Sequence, residues 1–226
     1  MNPERPNAIR VQLPTFENIE RVRKAVQVCA DVAVKKTSEH IHLHELTIQI
    51  KDDPKGVIPE HAHSGWTHSA DNITIKFDPY FPNKEQLLEI ELPRSISHEL
   101  HHAVRLKSLP DEPRSLGAAL IFEGLATCFE TEVWGGEPSK WAGALSQNQI
   151  NDLLKKVVYE LDDTNYKQSR WFFGSDDLPR WTGYTIGAYL VKEYLKQHPD
   201  QSCASLVATP SRVILDSLKP NILLKK

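Results

Sequence analysis

Two kinds of periodicity divide this chain, and their segregation is the strongest constraint on its fold. Period-two alternation with Thr and Ile enrichment is confined to His42–Lys51 (HLHELTIQIK) and Asn72–Asp78 (NITIKFD), which predicts two strands. A long connection containing Gly, Pro and His joins them. Elsewhere the apolar residues recur at three- and four-residue spacing. Ile19, Val22, Val26, Cys29 and Ala33 predict a helix at about 16–37, after Pro14 and an N-cap at Thr15. From Asn83 onward the pattern is helical, with segments expected at about 84–91, 94–107 and 115–134, the last stopped by Gly135 and Gly136. Ser146 and Gln149 form a capping box for a helix at about 147–161. After a polar and aromatic loop, Asp162–Arg180, comes a helix at about 181–197, stopped by Pro199; Thr209-Pro210 opens a short final one. Strands in the first third and helices in the rest predict an α+β fold, a small antiparallel sheet packed on a mainly helical remainder. No linker-like stretch divides the 226 residues, so one domain is expected, with an α/β lobe at about 1–80 and a helical lobe at about 81–226.

Charge and hydropathy narrow the class of partner. Lys+Arg 27 against Asp+Glu 30 leaves a formal net charge of -3, without the basic footprint of a nucleic-acid binder. The longest apolar runs, such as Gly117–Phe122, fall short of the roughly 20 residues a membrane span needs. The first residues hold early prolines and no apolar h-region, so no secretory signal is expected and the cytoplasm is the expected location. Cys29, Cys128 and Cys203 form no CxxC pair and are expected to be reduced, mostly buried thiols. The ten histidines are the unusual entry in the composition, and their placement carries the functional information.

His98-Glu99-Leu100-His101-His102 is an HExxH pattern on a predicted helix. At 3.6 residues per turn the imidazoles of His98 and His102 stand about 40° apart and reach one ion, while Glu99 sits about 100° round, where its carboxylate can hold a metal-bound water. That is the geometry of a zinc peptidase. Ile96, Leu100, Ala103 and Val104 gather on the opposite side, with Arg94, His101 and Arg105 flanking the metal side, so a greasy back and a polar front are expected. Catalytic zinc keeps three protein ligands and one open position, so a third ligand is required. The metzincin arrangement fails, because Arg105 and Ser108 stand where it needs Gly and His. Glu123 in Phe122-Glu123-Gly124-Leu125-Ala126 succeeds. Twenty residues separate it from His102, enough for the helix to end, a Pro-containing turn at Leu109–Pro113, and an antiparallel helix to return a carboxylate. A glutamate among apolar neighbours is costly to bury unless paired or metal-bound, and Gly124 beside it permits close helix approach.

Three blocks resemble a family of bacterial zinc-dependent-protease-like proteins catalogued as a domain of unknown function, distant relatives of the gluzincins. His98–Arg105 (HELHHAVR) is similar to its active-site helix, Phe122–Ala126 (FEGLA) to its ligand helix, and Trp181–Val191 (WTGYTIGAYLV) to its Gly-Tyr-x-x-Gly helix; the strand block ending at Asp78-Pro79 also fits. The resemblance spans about residues 60–195. It implies a gluzincin-like core and a hydrolase using one zinc ion, with His98, His102 and Glu123 as ligands and Glu99 as general base. It implies no known substrate.

Chemistry of this kind needs a donor for the oxyanion besides the metal, and Tyr184 is the first candidate. Packing against the smooth face of Gly183 and Gly187 explains that tyrosine about as well; Tyr166 and Arg180 are weaker alternatives. Asn72–Phe77 could be an edge strand that pairs with an extended peptide, or an ordinary strand of the sheet. His40, His42 and His44 would share one strand face, and His61, His63 and His68 crowd the following loop. Neither cluster matches a catalytic template, so solvated histidines outweigh a second metal site. His101 has no assigned role, and the tail Leu223–Lys226 reads as a solvated terminus. The expected function is a zinc-dependent metallohydrolase cleaving peptide bonds in a peptide or small protein. A catalytically silent, metal-stabilised binding protein and a zinc hydrolase of a non-peptide amide or ester are the alternatives.

Overall fold

The computed structural model describes residues 9–13, 20–82 and 87–219. The expected N-cap at Thr15, the first turns of the helices expected from 16 and 84, and the tail Leu223–Lys226 lie outside these residues. The described chain is α+β and divides into two compact units, 1–108 and 109–226.

The first unit contains β1 (Arg10–Gln12), α1 (Glu20–Ser38), β2 (Thr47–Asp52), β3 (His63–Ser69), β4 (Asn72–Phe77), a π-helical turn (Leu87–Glu91) and α2 (Leu92–Ser108). The strands form one sheet in the order β1-β2-β4-β3. It is mixed rather than antiparallel: β1 and β4 both run parallel to β2, and only β3 runs antiparallel to β4. The chain leaves β2, crosses through residues 53–62, and returns as a hairpin whose second strand inserts beside β2. The parallel pairing is therefore the product of a crossover that alternation alone does not encode. The same order corrects the edge-strand expectation. Asn72–Phe77 is interior, with Ile73, Thr74 and Ile75 all buried, and the edges of the sheet are β1 and β3. The strand expected from residue 42 begins only at Thr47, so His42 and His44 precede it and share no strand face.

Helix α1 turns Val26, Cys29, Ala30, Ala33 and Thr37 inward, the i, i+3, i+4, i+7 stripe its sequence shows, and packs on α2. Helix α2 also lies on β3 and β4. Its apolar side is buried at Leu92, Ile96, Leu100 and Ala103, as expected. The polar front is not solvent-facing, however: His101 is 0% and Arg105 1% exposed.

The second unit is helical: α3 (Leu116–Trp134), a 3-10 turn (Lys140–Gly143), α4 (Gln147–Glu160), a π-helical turn (Ser169–Phe173), α5 (Thr182–Gln197) and α6 (Ser211–Leu218). Ser115 caps α3, accepting from the Ala118 amide, and Gly135 ends it with φ 66, a left-handed conformation that glycine adopts without a Cβ penalty. The capping box of α4 forms between Ser146 and Gln149. Helices α3 and α5 make the main contact of the unit. Their backbones touch: a Cβ on Gly124 would strike the backbone of Gly187, and one on Gly187 the carbonyl of Leu120. Glu112 accepts the first amide of α6 at Ser211, 2.5 Å away, and Glu132 accepts the amide of Cys203 at 2.6 Å. Cys29, Cys128 and Cys203 are all free and buried, and burial pushes the Cys29 thiol up to about 12. Among the described residues no helix is long and apolar enough to cross a membrane.

Candidate active site

In the first unit, α2 presents His98 and His102 one turn apart, with ring centroids 4.5 Å from each other and planes nearly perpendicular. Both are buried, at 7% and 4% exposure. Two imidazoles converging from one helix face are donors that zinc takes readily, so this part of α2 fits the metal its sequence suggests. Glu99 lies between them along the chain and is itself buried, at 6% exposure.

The carboxylate of Glu99 is held by the edge strand. Thr67 Oγ1 lies 2.6 Å from Glu99 Oε2 and 3.1 Å from the Glu99 carbonyl. A hydroxyl has one proton to give, and the shorter contact, to the charged acceptor, receives it. Gly65, two residues earlier on the same face of β3, forms the floor: a Cβ there would sit 2.5 Å from Glu99 Oε1. One turn earlier on α2, Ser95 Oγ lies 2.6 Å from His63 Nε2. The other ring nitrogen of His63 faces the His61 carbonyl at 2.7 Å. A carbonyl only accepts, so Nδ1 carries a proton, and Nε2 is hydrogen-bonded to the Ser95 hydroxyl. His63, Gly65 and Thr67 thus meet Ser95 and Glu99 in register, period two on the strand against period four on the helix. Ser97, fully buried, accepts from Thr37 of α1 at 2.9 Å and secures the helix from its other side.

The remaining histidines have separate roles. His44 Nε2 lies 2.7 Å from the Ala70 carbonyl and 3.5 Å from Asp71, His68 meets Thr74 Oγ1 at 3.0 Å, and His40 and His42 are exposed. Among the described residues, His40, His42, His44, His61, His63 and His68 enter no group of three ligands within coordinating reach.

In the second unit, Glu123 sits half-buried in the middle of α3, directly before the Gly124 contact with α5. Glu130, two turns on, is fully buried and accepts from Ser139. The candidates for an oxyanion donor fall in different surroundings. Tyr184 is packed among aromatic rings, 5.1 Å from Phe172, 5.6 Å from Trp181 and 6.4 Å from Trp141. Arg180 lies over the Trp181 ring at 4.3 Å. Tyr166 lies in the field of Glu123: burial and that carboxylate raise its phenol above the usual value, with Arg114 opposing.

The partners of Glu99 escape a reading of the sequence. The segment HSGWTHS has no apolar alternation, because one face of β3 meets polar groups of α2 while Trp66 on the other is 51% exposed. Only the lone glycine inside an otherwise extended stretch signals a close approach.

Two proteins of Bacillus subtilis (strain 168) are similar: YjaZ, 29% identical over 130 residues, covering 54% of this chain and 49% of YjaZ, and YjfC, 28% identical over 131 residues, covering 52% and 43%. Both are named as uncharacterized proteins, and the matches span about half the length of each. No solved structure matches the chain significantly. A family model matches residues 18–216, and the chain belongs to that family, described as predicted Zn-dependent protease (DUF2268).

Proposed function

We propose that this chain is a zinc-dependent peptidase of gluzincin type, in which His98, His102 and Glu123 hold one zinc ion and Glu99 is the general base. The observation that carries the reading is the pair of buried, converging imidazoles on α2 with the Glu99 carboxylate fixed beside them. Two imidazoles and a carboxylate are an established donor set for catalytic zinc. Bound zinc would supply a water of near-neutral pKa and polarise the scissile carbonyl. Glu99 accepts a proton at its carboxylate and returns it to the leaving amine. Tyr184 donates to the developing oxyanion, and the position of Tyr166 near Glu123 makes its hydroxyl the alternative donor.

The substrate is a peptide or small protein, bound extended along β3. Among the described residues no strand pairs with the outer side of Gly65–Thr67, so main-chain groups are available there beside Glu99. Neither nucleic acid nor membrane enters the reading. Free, buried cysteines fit the reducing cytoplasm expected as its location.

The test is metal content by elemental mass spectrometry together with hydrolysis of a fluorogenic peptide library. About one zinc per chain is expected, weakened or lost in Glu123→Ala. Glu99→Gln should retain zinc and lose turnover by about two to four orders of magnitude. A wild-type protein that takes up no zinc when it is supplied overturns the reading, as does a Glu99→Gln protein of unchanged activity.

A further inference from the structure

We propose that Thr67 is the positioning residue of Glu99: its hydroxyl fixes the carboxylate against the backbone floor at Gly65, so that one oxygen is bonded to the protein and the other is left to work. Three observations converge on this assignment. The first is the 2.6 Å contact from Thr67 Oγ1 to Oε2, the length of a hydroxyl–carboxylate bond of the charge-assisted kind. The second is the absence of a side chain at Gly65, where a Cβ would meet Oε1 at 2.5 Å, Cγ at 2.7 Å and Cδ at 2.8 Å. The carboxylate and its stem lie directly on the strand, and any other residue at 65 would evict them. The third is the irregularity in the β3–β4 ladder between Thr67 and Ser69, immediately after the residue in question. Bulges re-aim side chains and terminate pairing, and this one ends the regular register once Thr67 has been placed.

The division of labour between the two oxygens follows from this geometry. Oε2 accepts from Thr67. Oε1, which lies over Gly65, is the oxygen the proposal leaves for proton transfer. The His63–Ser95 bond, one turn away along α2, fixes the same strand to the same helix. Thr67 therefore cannot drift relative to Glu99 without breaking a second buried bond.

The activity part of the test rests on the peptidase reading; a second part does not. Thr67→Val keeps the shape and deletes the hydroxyl, and Thr67→Ser restores the hydroxyl without the methyl. In zinc-loaded protein, Thr67→Val is expected to lower kcat by about 10- to 100-fold, the usual effect of losing such an outer partner, with KM and zinc content kept. Thr67→Ser should recover most of that loss, which a purely packing role would not allow. In metal-free protein carrying isotope-labelled glutamate, the Glu99 carboxyl-carbon NMR resonance is identified by its disappearance in Glu99→Gln. It should shift in Thr67→Val and in Gly65→Ala, and return toward the native position in Thr67→Ser.

A Thr67→Val protein with native kcat and an unmoved resonance overturns the proposal, and so does a Thr67→Ser protein as impaired as Thr67→Val in both readouts. If the native protein turns over no peptide, the peptidase reading falls while the resonance still decides the role of Thr67.

Discussion

Helix α2 of the first unit and helix α3 of the second are both buried along most of their length, yet the stretches around Glu99 and Glu123 are held in different ways. Helix α2 is fixed by directional bonds to named partners: Ser95 to His63, Ser97 to Thr37, Glu99 to Thr67. Helix α3 takes directional bonds toward its C-terminal end, at Glu130 and Glu132, but around Glu123 it is fixed by backbone contact with α5 through Gly124 and Gly187, with Leu120, Leu125 and Phe129 closing the apolar surroundings. Hydrogen bonds set the azimuth of a side chain, and glycine contact sets the separation of two axes. The carboxylate proposed as general base is on the helix fixed in azimuth, and the carboxylate proposed as a ligand is on the helix fixed in distance.

If that contrast is right, the α3–α5 contact should be the less forgiving, because backbone cannot yield as a side chain can. Gly187→Ala should lower stability most. The helix-propensity gain of about 1 kcal/mol is outweighed by an overpacking cost of about 3 kcal/mol, a net loss of about 2 kcal/mol. A fall in melting temperature of about 4–8 °C is expected, and no fall would mean that the helices separate freely. Ser95→Ala should act more gently. It removes one buried bond worth about 1 kcal/mol, a drop of about 2–4 °C, and Ser95→Thr should recover part of it if the hydroxyl is what counts.

The smallest effect belongs to the surface. Arg170 bridges Glu160 and Asp177, and its guanidinium, with the Ser175 hydroxyl, holds the Asp177 carboxyl far below the usual carboxylate range. A depressed pKa in the folded state stabilises above the unfolded value, near 4, and that contribution is lost as pH falls below it. Asp177→Asn should therefore lower the melting temperature slightly near neutral pH and by less as the pH falls from about 4 toward 2, since exposed pairs contribute little. A larger gap at acid pH than at neutral would reverse the sign and rule this out.

The helical half was legible because its cues are local. Pro199 after α5, Gly135 after α3 and the Ser146/Gln149 box each announce a boundary within a turn of where it falls. His98, Glu99 and His102 were legible for the same reason, since their spacing alone sets their mutual angle. The sheet was less so. Residues of β1 are too few to alternate, β3 is polar, and the direction of β4 against β2 depends on a crossover. The start of α5 was displaced by one residue because Trp181 is left-handed, at φ 68, a conformation that a tryptophan in sequence does not advertise. The burial of His101 and Arg105 was missed because both were placed on a polar front, and helical periodicity cannot tell a face turned to water from one turned to other polar groups.

The glycine on β3 also makes the hairpin a key with one cut. Side chains on a strand alternate, so a slip of a single residue would bring Ser64 or Trp66 opposite Glu99 in place of Gly65. Neither leaves room for the carboxylate. Of the single-residue alternatives for this polar strand along its neighbour, the glutamate on the helix excludes both, and a strand with few apolar side chains of its own takes its alignment from a carboxylate.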